Sequence, residues 1–167
     1  MALPTIVAQD EVLLTGQRCS DNARPAETME DFLVEQAGWY LIEGYDSGWG
    51  VRVVAGTSGF DGMCRYAGYQ YFVFVDGVFA GTVSPELMSS RSDGGAGAAW
   101  VRGREFLLVD FVRYAPTDAF CCPSGQSFAH YTIDLTDAGP MLRFTGATTQ
   151  RVSTHSIRQT HAGATRG

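Results

Sequence analysis

The chain has 167 residues, 45% of them hydrophobic and 12% aromatic, which suits one domain with a sizeable core. Its formal net charge of −6 arises from 18 acidic and 12 basic residues dispersed without a basic stripe, which argues against nucleic acid and against an anionic membrane surface as partners. No apolar run approaches the roughly 18 residues of a transmembrane helix, and residues 1–9 lack the basic start of a secretion signal, so such a signal is expected to be absent or trimmed.

In chain order, about the first ten residues are expected to fray, with a short strand over 11–15 before a turn at Gly16. Pro25 suits a first helical turn; Met29, Phe32, Leu33 and Ala37 share one helical face, and Gly38 is placed to stop the helix. Thr28 and Asp31 offer a slightly later start as a capping box. Residues 39–42 and 49–54 are predicted strands, paired as a hairpin across the polar, glycine-rich stretch 44–48. The segment GTSGFDG at 56–62 lacks the Gly-Lys-Ser/Thr ending of a phosphate loop and is predicted to be a plain connection.

The centre of the chain is a second hairpin. Two apolar runs, 71–75 and 78–83, flank Asp76-Gly77, a dipeptide suited to a type I′ turn because both central residues need positive φ. The predicted register sets Val75 opposite Val78, Phe74 opposite Phe79, Val73 opposite Ala80, Phe72 opposite Gly81 and Tyr71 opposite Thr82. Neither side is polar, so the hairpin must be covered on both faces.

Beyond it, Ser84-Pro85 is predicted to start a short turn of helix through Met88, followed by a polar loop over 89–97. Residues 106–114 form a strand with Asp110 and Arg113 on otherwise apolar sides, and 115–126 is a turn-rich link. Residues 128–135 alternate, with Ala129, Tyr131, Ile133 and Leu135 inward and His130, Thr132 and Asp134 outward, as in an outer antiparallel strand. A last strand is placed at 141–144. From 148 onward apolar periodicity is lost, which predicts one globular domain over 1–147 and a disordered tail over 148–167. The predicted fold is α+β: one N-terminal helix on a mostly antiparallel sheet of about six strands centred on the 71–83 hairpin, with an all-β sandwich or barrel as the alternative.

The four cysteines, Cys19, Cys64, Cys121 and Cys122, contain no Cys-x-x-Cys pair, so the spacing does not suit zinc. Two long-range disulfides are expected, and the sequence leaves the pairing open. A hydrolase triad is hard to assemble: His130 faces outward, His155 and His161 fall in the expected tail, and there is no Gly-x-Ser-x-Gly elbow. Asp110, Asp118 and Asp134 are scattered, which does not support a glycosidase pair. The remaining polar cluster joins Arg91 and Asp93 to Arg113, Asp118 and Ser124. Arginine forks bind carboxylates and phosphates, and they pin loops by binding a neighbouring aspartate; for Arg91 pinning is expected. No cofactor or metal is expected.

DGVFAGTVSPELMSSRSDG at 76–94, followed by FVRYAPTDAFCCPSG at 111–125, resembles the LppP/LprE family of bacterial envelope proteins, many of them lipoproteins. The resemblance covers residues 69–131, with a weaker extension back to Cys19. It implies a domain exported across the bacterial membrane, with no established reaction and no catalytic residues to carry over. Gly16-Gln17-Arg18 before Cys19 do not form a lipobox, a departure from the lipoprotein members. The expected function is therefore a non-catalytic extracytoplasmic domain that binds a polar ligand or an envelope protein partner; the alternative is a hydrolase acting on an envelope substrate.

Overall fold

The computed structural model describes residues 2–5, 18–42, 47–89, 96–119 and 122–151, and its one α-helix, α1, spans Met29–Gln36 among them. The later of the two predicted starts is the one adopted. The Asp31 N–H donates to Thr28 Oγ1 at 3.3 Å, and the Thr28 N–H donates back to the Asp31 carboxylate at 3.1 Å, a reciprocal capping box. Gly38 ends the helix at φ 94°, its N–H donating to the Glu35 carbonyl at 2.9 Å.

The buried face of α1 is the expected one only in part. Ala37 is buried and Leu33 packs on the apolar cluster, but Met29 is 69% and Phe32 48% exposed, while Asp31 and Val34 are buried. The cause is an ion pair under the helix: the Arg24 guanidinium grips both Asp31 carboxylate oxygens, at 3.0 and 2.5 Å, while its Nε donates to the Ile42 carbonyl at 2.9 Å. Desolvation would raise the Asp31 carboxyl, but hydrogen bonds from Arg24, the Glu27 amide and Thr28, with the Arg24 charge, outweigh it and bring the pKa down to about 2. Residues 2–5, expected to fray, dock on this side, where Leu3 packs on the apolar cluster and Trp39 Nε1 donates to the Pro4 carbonyl at 2.8 Å. The predicted strand over 11–15 lies outside the described residues.

The strands are β1 Tyr40–Leu41, β2 Ser47–Gly48, β3 Val51–Thr57, β4 Tyr69–Val75 and β5 Val78–Thr82, then β6 Ala96–Val101, β7 Phe106–Arg113, β8 Gly125–Thr136 and β9 Gly139–Arg151. They divide into two antiparallel sheets rather than forming one of about six strands. Sheet 1 runs β1-β3-β4-β5 with β2 also on β3, and sheet 2 runs β6-β7-β8-β9. The expected pairing of the first two apolar runs is present, Tyr40 opposite Thr57, but Trp49 and Gly50 make the turn that leads into β3, at φ 58° and 77°.

In the central hairpin Val75 faces Val78 and Phe74 faces Phe79, as predicted; the register then shifts, so that Val73 faces Gly81 and Phe72 faces Thr82. Ala80 is the inserted residue of a bulge, made at Gly81 with φ 146°, a conformation that side chains rarely adopt. A Cβ at Gly81 would also come within 3.1 Å of Leu142 Cβ, so the glycine lets β9 approach.

Every residue of β4 is buried, and the requirement for two covering layers is met. Phe72 and Phe74 join Val34, Ala37, Trp39 and Leu41 on the helix side. Tyr69, Tyr71, Val73 and Val75 join Leu107, Val109, Phe111, Tyr131 and Ile133 of sheet 2 on the other. The short helix predicted after the hairpin is absent: Met88 bridges to Tyr69, and Gln70 Nε2 holds the chain by donating to the Ser84 and Glu86 carbonyls at 2.9 and 3.0 Å. In sheet 2, β6 lies partly in a stretch expected to be a loop, and β8 is interior because β9 pairs along its whole length. β9 continues to Arg151, past the start of the predicted tail. Leu135, expected to point inward, is exposed near the end of β8.

Candidate binding site

The expected polar cluster separates into parts. Arg91 and Asp93 lie outside the described residues. Asp118 and Ser124 are brought together: the Asp118 carboxylate accepts from the Ala115 N–H at 2.7 Å and from both the N–H and the Oγ of Ser124 at 2.8 Å. These donors, led by the two backbone amides, hold the Asp118 carboxyl below the usual range, and they tie Ala115 and Ser124 to it. Arg113 is placed elsewhere. Its Nε donates to Ser127 Oγ at 2.8 Å and its guanidinium lies 5.8 Å from the Phe111 ring centre, beside a cleft of about 410 Å³ lined also by Val83, Pro85 and Phe144. Tyr131 borders the same cleft; its hydroxyl donates to the Val83 carbonyl at 2.6 Å, and burial pushes its pKa up to about 12.

Cys19 and Cys64 form a disulfide with Cα atoms 5.2 Å apart, 45 residues apart in sequence. The junction is reinforced by Arg18, whose guanidinium donates to the Gly62 carbonyl at 2.8 Å, and by Asn22 Nδ2, which donates to the Cys64 carbonyl at 2.6 Å. Cys122 is disulfide-bonded as well, and Cys121 lies outside the described residues. Of the two long-range bridges expected, one is present, Cys19–Cys64.

The outward face of sheet 2 carries the other chemistry-bearing residues. His130 is exposed there, while Ser127 on the same strand is buried, its hydroxyl between Arg113 and Thr149; His155 and His161 lie outside the described residues. Two carboxylates of this face have partners: Asp110 accepts from the Ala98 N–H and, at 2.8 Å, from Gln126 Nε2, and Asp134 pairs with Arg143 at 2.5 Å.

Between these carboxylates runs a groove of about 660 Å³. Its floor comes from cross-strand pairing, since Leu108 faces His130 and His130 faces Gly146, while Phe106 faces Thr132. The register of β8 and β9 shifts beside His130, where Thr145 is the extra residue and its hydroxyl donates to the His130 carbonyl at 3.0 Å. A Cβ on Gly146 would meet nothing within 4 Å, so the space beside His130 is open. At one end the Arg102 N–H donates to the Phe106 carbonyl at 2.9 Å, a turn whose two ends both line the groove; Phe106 is 54% exposed. Thr145 and Thr148 supply hydroxyls from β9.

Sequence inspection singled out none of these as a ligand site. The outward alternation of His130 and Thr132 was legible, but the turn that holds Arg102 and Phe106 meets His130 and Thr145 only through the registers of three strands.

No helix among the described residues is long and apolar enough to cross a membrane. No curated protein and no solved structure matches the chain. The model of one family does, over residues 43–136, a span that holds β2 to β8 and both motifs on which the resemblance rests. The chain belongs to the LppP/LprE lipoprotein family.

Proposed function

We propose that the chain is a non-catalytic domain of the cell envelope that binds a hydroxyl-rich polar ligand, a saccharide, in the groove on the outer face of sheet 2. Membership in a lipoprotein family and the Cys19–Cys64 disulfide support a place outside the cytoplasm, where such bonds persist.

The observation that carries the reading is the groove's lining. Phe106 and Leu108 offer an apolar floor for the C–H face of a sugar ring, and His130, Thr132, Thr145 and Thr148 offer donors and acceptors for its hydroxyls. A hydrolase has less support, because among the described residues the exposed His130 side chain shares no hydrogen bond with a serine or a carboxylate, and the nearby Ser127 and Asp110 are bonded to Thr149 and Gln126 instead.

Titration of the protein with a panel of soluble cell-wall oligosaccharides, followed by backbone amide shifts, tests this. Shifts should cluster at residues 102–108, 130–132 and 145–148, and Phe106→Ala should lower affinity at least about tenfold without unfolding the protein. Shifts confined to the Arg113 cleft, or concentration-dependent self-association through Phe106 with no sugar bound, would overturn the assignment.

A further inference from the structure

We infer that the ligand of this groove carries an acidic group, a carboxylate or a phosphate, seated against Arg102. The inference rests on the reading of the groove as a binding site and adds the charge of what it holds.

The protein has 18 acidic and 12 basic residues, so a surface patch drawn from its composition favours acids. The groove departs from that. Among the residues lining it, Arg102 and His130 are the basic ones, and none is Asp or Glu. Of the carboxylates nearest in the fold, Asp110 and Asp134 are engaged by other partners, and Glu105 lines an adjoining depression and not the groove. Asp110, two residue pairs along the sheet from Leu108 and His130, is occupied by the Ala98 amide and Gln126. Glu105 and Asp134 line an adjoining depression that Phe106 and Thr132 also border, and Asp134 is paired with Arg143.

Arg102 itself is exposed, and among the described residues its guanidinium enters no ion pair or side-chain hydrogen bond. Its backbone is held by the bond to the Phe106 carbonyl. A guanidinium presents five N–H donors in a planar fork that matches the paired oxygens of a carboxylate or phosphate, and an apolar floor beside it excludes competing water. An acidic sugar residue lying on Phe106 would thus place its charged group at the Arg102 end of the groove, with its hydroxyls toward the threonines.

The test compares three probes of equal length by calorimetry: an oligogalacturonate, its methyl ester, and a neutral oligosaccharide bearing one phosphate. The acidic or the phosphorylated probe should bind about tenfold tighter than the ester, and the advantage should shrink as salt is raised. Preference between the two charged probes identifies the source of the anion. Arg102→Gln should erase the advantage while leaving the ester's affinity unchanged, and Arg102→Lys should retain part of it. Binding of neither charged probe more tightly than the ester, or an equal loss of charged and ester probes in Arg102→Gln, overturns the inference and leaves the saccharide site standing. If no probe binds, the site and its charge preference fail together.

Discussion

Sheet 1 and sheet 2 are built from similar apolar residues but are clothed differently. In β4 every side chain is buried, because α1 lies on one face of the sheet and sheet 2 on the other. In β8 burial alternates, because sheet 2 presents its outer face to solvent. The difference separates two tasks. Stability depends on the layers around β4, where each side chain loses contacts on removal, whereas the open face of sheet 2 holds aromatic and cationic groups at little benefit to the fold.

The same substitution on the two sheets should show this most strongly. Phe72 is fully buried, with its ring 5.0 Å from Trp39 in an edge contact and 6.4 Å from Phe79. Phe72→Ala should cost about 3–5 kcal/mol in urea denaturation. A loss below about 1 kcal/mol would mean that the helix-side layer is not the stabilising one.

A somewhat smaller effect is expected from the disulfide. Replacing Cys19 and Cys64 together by serine should destabilise the protein by about 2–4 kcal/mol, because a long loop is freed in the unfolded chain. An unchanged melting temperature would place the segment around Cys19 outside the cooperative unit.

The Asp31 ion pair predicts a pH dependence. The carboxyl titrates at about 2 in the folded protein against 3.8 unperturbed, so its contribution is fully present above about pH 4 and is lost as pH falls through about 2. Asp61, Asp76 and Asp118 are lowered too, and they shift stability in the same direction. Denaturation midpoints of the protein and of Asp31→Asn should therefore converge as the solution is acidified from pH 5 to pH 2. A constant gap would show that Asp31 acts through its cap geometry and not through its charge.

The smallest effect on stability is expected at Phe106. Phe106→Ala should change unfolding by less than about 0.5 kcal/mol, in contrast to Phe72→Ala, while removing saccharide affinity. A large loss of stability would erase the distinction between the sheets.

What the sequence by itself determined is local chemistry and periodicity. Asp76-Gly77 has the positive φ its turn needs, Thr28 and Asp31 cap a helix three residues apart, and the unbroken apolar run of β4 demanded cover on both sides. The alternation around His130 likewise located one buried and one open face. Only the tertiary structure decided which face of α1 is buried, because Arg24 reaches Asp31 from outside the helix and overrides the apolar count. It alone decided the bulge at Gly81, where β9 crosses close to the backbone, and the strand at Ala96–Val101, whose alanines and glycine have weak strand preference and pair because β7 is there. The groove belongs to the same class. Arg102, Phe106, His130 and Thr145 carry no shared local pattern, since their proximity is set by hydrogen-bond register between strands, which depends on partners distant in the chain.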